Sequence, residues 1–185
     1  MKAVLISIQP KWCEEIASLK KKVEIRKSKP TGATPFKCYI YCTQGKFADL
    51  GVIGENIYRK RMKVIGEFVC NKIVKFENSL FDEALPETVA RSCVPMYDLL
   101  VYIGKQDYGY GWHISNLVIY DKPRELSEFK TPEWFRDCEK GCDDMERMRC
   151  PTKDSRKVDK MCDWCRKGGE PITRPPQSWC YVEGE

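Results

Sequence analysis

Histidine is almost missing from this sequence, since His113 is the only one among 185 residues. A ribonuclease that works with two histidines is therefore excluded, and a Ser-His-Asp triad would have to use His113. The sequence also lacks the Gly-x-Ser-x-Gly string of a nucleophile elbow and the Gly-x-x-x-x-Gly-Lys-Ser/Thr string of a phosphate-binding loop. These absences exclude several common classes of hydrolase and nucleoside triphosphatase.

Long apolar runs are missing as well. The run Ala3–Ile6 is followed at once by Ser7, whereas a membrane-spanning helix needs roughly 20 apolar residues. Because we find neither such a run nor a signal peptide, we expect a soluble protein of the cytoplasm. Its eleven cysteines are then expected to be thiols or metal ligands, because the cytosol keeps disulfides reduced.

The composition is that of a folded domain with an uneven charge. Hydrophobic residues make up 42% of the chain, and seven Phe, five Trp and nine Tyr are present, which excludes a disordered protein. Residues 1–75 carry 16 Lys or Arg against 6 Asp or Glu, a net charge of +10, and residues 76–185 carry 16 against 21, a net charge of −5. The basic half suggests that one face of the protein binds an anion.

Strand patterns dominate the first 130 residues. Apolar and alternating runs predict strands at 3–8, 23–26, 38–42, 64–76 and 112–120, and helical spacing predicts helices at 10–19, 86–92 and 96–104. Because the strands and helices do not alternate regularly, we predict an α+β fold, a small and partly open β-barrel decorated by short helices.

The amino-acid composition changes at about residue 131, where a cysteine-rich stretch begins. We assign residues 1–130 to the barrel, 131–170 to a cysteine-rich segment, and 171–185 to a tail that docks back on the barrel. The pair Cys162 and Cys165 has the spacing of half a zinc site, and Cys138 and Cys142 have helical spacing, with Cys150 as a competing ligand. The sequence therefore predicts a structural Zn²⁺ held by four of these five cysteines, and free or redox-active thiols are the alternative.

Several short strings, in this order, resemble the ASCH family within the PUA-like group of small barrels. They lie at residues 5–10, 21–26, 64–68, 111–114 and 120–123. The family string Gly-x-Lys-x-x-Glu-x-Arg corresponds here to Leu19, Lys21, Glu24 and Arg26, so its glycine is replaced by Leu19. Gln9 stands where the family often has a lysine before Pro10. The resemblance covers residues 1–128 and the final dozen.

The resemblance implies a cleft, lined by the Lys-x-x-Glu-x-Arg strand, that accepts RNA or a modified nucleotide. Some members of the family hydrolyse RNA or remove an acetyl group from a modified cytidine. In the amidohydrolases a threonine nucleophile lies three positions after the lysine, and Glu24 occupies that position here. A carboxylate could only activate water, so this mechanism fits the sequence poorly.

Two sets of site residues follow from these patterns. For nucleic-acid binding we expect cations at residues 20–29 together with stacking rings on neighbouring strands; the candidates are Lys20, Lys21, Lys22, Arg26, Tyr39, Tyr41 and Trp112. Trp12 is a further candidate for stacking, although its place on the apolar face of a helix favours a core position. For catalysis, the candidates are the acids and bases Lys21, Glu24, Glu67 and His113.

The leading hypothesis is that a basic cleft binds RNA or a modified nucleotide. The first alternative is a hydrolase of the same family, either a ribonuclease or an amidohydrolase on acetylated cytidine. The second alternative is a protein-interaction module that uses the cysteine-rich segment. A structural reading of each catalytic candidate remains open, because ion pairs and burial also place acids in strands.

Overall fold

The computed structural model of the chain describes residues 2–45, 53–77, 85–132 and 169–184. Its elements in chain order are β1 (Lys2–Ile8), α1 (Pro10–Ala17), β2 (Val23–Arg26), β3 (Phe36–Cys42), α2 (Glu55–Arg59), β4 (Lys63–Glu77), α3 (Leu85–Ser92), α4 (Met96–Ile103), β5 (Tyr108–Arg124) and β6 (Trp179–Glu183). None of the helices in the described ranges has the length and apolar content that a membrane span requires.

The six strands form one mixed sheet in the order β2-β5-β4-β3-β1-β6. Strands β1 and β3 are parallel, and the other neighbours are antiparallel. The sheet curls so that its β2 edge approaches β1. This approach is shown by Arg26 Nη2 on β2, which donates a hydrogen bond of 2.6 Å to the carbonyl of Ser7 on β1. The predicted α+β class with short helices is confirmed, and the curled sheet is consistent with a partly open barrel.

The core lies on both faces of this sheet. One face buries Ile6, Ile40 and Phe68 with α1, whose buried residues Cys13 and Ile16 follow the helical spacing seen in the sequence. The opposite face carries a second cluster, closed by Phe129 and Ile172. Helix α4 covers the β2 end of the sheet, where Leu99 and Ile103 pack against Val23 and Ile25.

The C-terminal residues add a strand to the sheet. Strand β6 pairs antiparallel with β1, from Lys2 opposite Glu183 to Ile6 opposite Trp179. An isolated bridge between Lys130 and Pro171 precedes this pairing. The C-terminal residues therefore form one edge of the sheet and help to shape the opening beside β1.

The described cysteines are packing residues. Cys13, Cys38, Cys42, Cys70 and Cys180 are buried and Cys93 is half-buried, all as free thiols. Burial raises the pKa of the Cys70 thiol to about 12, so it stays protonated at neutral pH. The five predicted zinc ligands, Cys138, Cys142, Cys150, Cys162 and Cys165, lie outside the described residues. Among the described residues, no group of three or more His, Cys, Asp and Glu side chains is placed to hold a metal.

Candidate functional site

A cavity of about 730 Å³ lies where the β2 edge of the sheet approaches β1. The β1–α1 junction forms one wall, strand β2 forms the second, and α4 together with residues 175–177 forms the rest. Because β2 is an edge strand, no further strand continues the sheet between β2 and β1 at this opening. The cavity therefore lies in the gap between the β2 edge and strand β1.

Three charged side chains from the β2 region line this cavity. Lys21, Glu24 and Arg26 are only 1%, 5% and 6% exposed. Glu24 forms ion pairs on both sides, since its Oε2 lies 3.3 Å from Lys21 Nζ and its Oε1 lies 3.0 Å from Arg26 Nη2. The period-two spacing of Glu24 and Arg26 places them on one face of the strand. The strand predicted at residues 23–26 implies this shared face, and the structure brings Lys21 to the same place.

Backbone carbonyls fix the two cations at the ends of this charged group. Lys21 Nζ donates a hydrogen bond of 2.5 Å to the carbonyl of Ser92, at the end of α3. Arg26 Nη2 donates to the carbonyl of Ser7. With one carboxylate between two cations, the group has a net charge of +1. A positive charge held this rigidly in a cavity favours an anionic ligand.

Some buried polar atoms in this group have no hydrogen-bond partner in the described part of the chain. They are Glu24 Oε2, which has only its ion contact with Lys21, and Arg26 Nε. Leaving a buried polar atom without a hydrogen bond costs about 1–3 kcal/mol. One acceptor and one donor in the wall of a cavity are therefore suited to pair with a ligand.

Aromatic rings flank the charged group. Trp12 on α1 is half-buried, and Lys21 Nζ lies 5.1 Å from its ring centroid. Tyr102 on α4 is 39% exposed, and Lys27 Nζ lies 5.3 Å from its centroid. Both residues line the cavity. The interpretation of Trp12 as a core residue was incomplete, because the apolar face of α1 ends at the cavity rim.

Tyr102 was missed in the sequence analysis. It lies in an apolar helix in which the sequence does not separate the buried face from the exposed one. Burial is the main cause that raises the pKa of the Tyr102 hydroxyl, so it is a neutral hydrogen-bonding group at physiological pH. Val101 and Tyr102 are exposed and line the cavity, so they mark the side of α4 that faces it.

The three predicted stacking residues on the strands are core residues instead. Tyr39, Tyr41 and Trp112 are 1%, 4% and 0% exposed. Stacking of a base requires an accessible ring face, and the sheet is packed at these three positions. Tyr39 packs on Phe129 at a centroid distance of 4.8 Å, and Trp112 packs on Phe36 at 5.7 Å. These rings offer no surface to a nucleic acid.

The lysines of the predicted basic stretch take different positions. Lys20 is exposed and Lys22 is half-buried, so they lie around the buried Lys21. Lys21 and Lys22 also line a smaller cavity of about 200 Å³ beside residues 114–117. The sequence therefore located the positive region. The structure shows that only Lys21 is buried, whereas Lys20 is exposed and Lys22 is half-buried.

Glu67 lies away from the cavity. It is opposite Tyr39 on β3, its Oε1 lies 3.1 Å from Lys37 Nζ, and its Oε2 accepts a hydrogen bond of 2.6 Å from the Tyr120 hydroxyl. Burial acts to raise the pKa of Glu67, but the hydrogen bonds from Tyr120 and Lys37 outweigh it, and the pKa is lowered. Partners from β3 and β5 therefore stabilise the charged form of this carboxylate.

The Glu67 carboxylate is expected to stabilise the fold near neutral pH. Because its pKa in the fold lies below that of an unfolded glutamate, this contribution is complete above about pH 4.3 and is lost as the pH falls through the folded-state pKa. In urea titrations, the loss of unfolding free energy caused by Glu67→Gln should be largest at pH 7 and should shrink at pH 3. The exposed Glu77→Gln variant is the control, and a constant loss at both pH values would contradict this assignment.

His113 also lies outside the cavity wall. It is opposite Val23, whereas Trp112 is opposite Glu24, and neighbouring residues in a strand point to opposite faces. Burial, together with the positive charges of Arg91 and Lys72, lowers the pKa of His113. The structure thus brings together two of the four catalytic candidates, Lys21 and Glu24, and separates His113 and Glu67 from them.

Comparisons with known proteins give matches among solved structures. No protein-family model matches the sequence, and no curated protein matches it. ASCH from Zymomonas mobilis is similar, with a TM-score of 0.56 and 17% identity over 98% of this chain and 87% of that chain. A tyrosine-to-phenylalanine variant of the same protein aligns with a TM-score of 0.57 and 17% identity, over 99% of this chain and 91% of that chain.

Proposed function

The chain has the ASCH fold that its motifs predicted, and on this premise we propose that its cavity binds RNA or a modified nucleotide. The observation that carries the proposal is the buried group of Lys21, Glu24 and Arg26, which lines a cavity of about 730 Å³. This volume suits one nucleotide, because small-ligand sites commonly measure about 300–1,000 Å³.

The charged group offers different contacts to different parts of a nucleotide. The cations Lys21 and Arg26 attract a phosphate, and each phosphate contact makes binding weaker as the salt concentration rises. Glu24 Oε2 is a buried acceptor and Arg26 Nε is a buried donor. Glutamate accepts hydrogen bonds from the amino groups of bases. An acceptor beside a donor therefore complements a base edge that carries an amino group next to a ring nitrogen.

The rings of Trp12 and Tyr102 supply the stacking surfaces that the strand residues do not. Both line the cavity and both keep part of their surface accessible. A base between or against such rings gains about 1–3 kcal/mol from stacking. The proposed nucleotide site therefore consists of β2, α1 and α4, and it does not use the rings of Tyr39, Tyr41 or Trp112.

Release of bound nucleotides from purified protein tests this proposal. Mass spectrometry of the small molecules freed by denaturation should find nucleotides or short RNA with the wild type and far less with Arg26→Ala. Arg59→Ala is the matched control, because Arg59 is an exposed arginine on α2. The proposal fails if the denatured wild type frees no nucleotide and added single nucleotides and RNA also do not bind.

A hydrolase is the second candidate, and the contact between Lys21 and Glu24 of 3.3 Å favours it. Such a pair could orient and deprotonate a water molecule. Glu67 and His113, the expected second proton-transfer groups, do not line the cavity. The arrangement supports binding better than it supports turnover.

Rate measurements distinguish the two candidates. We expect wild type, Lys21→Ala and Glu24→Gln to give the same background rates on single-stranded RNA and on acetylcytidine in chelator-treated buffer. A general acid or base contributes roughly 100- to 10,000-fold to a rate, so catalysis would be plain. A wild-type rate that is well above background, and is abolished by either substitution, would establish the hydrolase.

We further propose that the cysteine-rich segment binds one structural Zn²⁺ in the reducing cytoplasm, where we expect the protein to work. The support is the spacing of Cys138, Cys142, Cys150, Cys162 and Cys165. Elemental analysis after gel filtration should find one zinc per chain, and a chelator should expose residues 131–170 to protease while the sheet stays folded. Freshly purified protein without metal would overturn this proposal.

A further inference from the structure

We propose that a single-stranded RNA continues from the cavity across a row of alternating cations and tyrosines, which we call the Lys–Tyr row. The row consists of Arg26, Lys29, Tyr110, Tyr108 and Lys75. This inference rests on the proposed function, and it specifies the ligand as an RNA strand of several nucleotides rather than a free nucleotide. It places the flanking nucleotides on β5 and β4.

The strand register puts these residues on one face of the sheet. Tyr110 on β5 is opposite Arg26 on β2 and opposite Lys75 on β4. Directly opposite residues of antiparallel strands place their side chains on the same face. Tyr108 lies two residues before Tyr110 and shares that face. Since Arg26 also lines the cavity, the Lys–Tyr row begins in the cavity wall.

Cations and rings contact each other along the row. Lys29 Nζ lies 5.9 Å from the Tyr110 centroid, and Lys75 Nζ lies 4.3 Å from the Tyr108 centroid. The two tyrosine rings are 5.7 Å apart and nearly perpendicular. Both lysines are exposed, and both tyrosines are half-buried with part of their surface accessible. The lysines can therefore contact phosphates while the rings receive bases.

This combination selects RNA over a protein partner. A positive groove with interleaved aromatic rings is the usual surface for single-stranded nucleic acid, because phosphates and base faces recur along the strand. Neighbouring strands lie about 4.8 Å apart, so the row from β2 to β4 spans roughly 10 Å. Stacked nucleotides rise about 3.4 Å each, so the row accommodates two or three. Glu77, opposite Tyr108, ends the positive surface.

The test compares ligand lengths on the full chain. The probes are a fluorescently labelled single-stranded RNA hexamer of mixed sequence, measured by anisotropy, and the four nucleoside monophosphates, measured by competition. Wild type should bind the hexamer at least tenfold more tightly than any monophosphate, because one stacked base alone adds about that factor.

Substitutions then locate the added affinity. Tyr108→Leu should weaken hexamer binding about tenfold, and Lys29→Gln with Lys75→Gln should lower the salt slope by about 1.4, at 0.7 per phosphate contact on a single strand. Neither change should alter monophosphate binding. The controls are Tyr58→Leu, which removes an exposed ring that stacks on Arg61, and Lys122→Gln, which removes an exposed lysine at the far end of β5.

The possible results separate the row from the cavity. If monophosphates bind but the hexamer binds no more tightly, the Lys–Tyr row is wrong and the proposed function stands. If the hexamer binds tightly but the Tyr108 and double lysine variants keep full affinity and slope, the row is also wrong. If wild type binds neither probe, the proposed function and the row fail together.

Discussion

Replacing Glu24 with alanine is expected to lower the free energy of unfolding by about 3–5 kcal/mol, the range for breaking a buried ion pair. The substitution removes the carboxylate between Lys21 and Arg26, which are 1% and 6% exposed. Two buried cations then face each other without compensation. Urea denaturation followed by tryptophan fluorescence measures the loss.

The matched control for this substitution is Glu87→Ala. Glu87 forms an ion pair of 3.2 Å with Arg91, but both side chains are substantially exposed. Exposed pairs contribute about 0–1 kcal/mol. If Glu24→Ala costs no more than Glu87→Ala, the charged group at the cavity does not depend on its central carboxylate.

Replacing Lys21 and Arg26 together with alanine is expected to weaken RNA binding about 100-fold or more. Hydrogen bonds to charged groups contribute about 1.5–3 kcal/mol each, and two of them are removed. The slope of log affinity against log salt should fall by about 1.4, because two phosphate contacts on a single strand are lost. Anisotropy titrations of an RNA hexamer at several salt concentrations give both quantities.

Folding must be separated from binding in this experiment, because the double substitution leaves Glu24 unpaired. Arg26→Lys keeps the charge but loses the planar guanidinium, so it should weaken binding while the circular dichroism spectrum is unchanged. Arg59→Ala on α2 is the control for a lost surface charge. An unchanged salt slope in the folded double variant would remove β2 from the binding face.

The strands of the sheet and the charged residues of the cavity were predictable from local patterns. Strand alternation set Glu24 and Arg26 on one face, and apolar runs located five of the six described strands and three of the four described helices within about four residues, whereas β6 was not predicted as a strand. These features depend on residues close in sequence. Arg26 lies in β2 and Lys21 lies two residues before that strand. The basic motif in this segment therefore identified both residues.

The faces of the central strands were not predictable in the same way. Tyr39 and Tyr41 alternate correctly, but their exposure depends on Phe129 and Ile172, which arrive from distant parts of the chain. The pKa of Glu67 depends on Lys37 and Tyr120, brought together by the β3–β4–β5 register. Long-range register determines these contacts, and a single sequence does not specify it.

Photo-crosslinking tests most directly where the RNA binds. Short RNA that carries 4-thiouridine is irradiated with the protein, digested with trypsin and analysed by mass spectrometry. Binding in the cavity predicts adducts on the peptides 12–20 and 92–105, which contain Trp12 and Tyr102, and their loss when unlabelled RNA competes. Competable adducts confined to peptides that do not line the cavity would contradict the proposal that this opening between β1 and β2 is the nucleotide site.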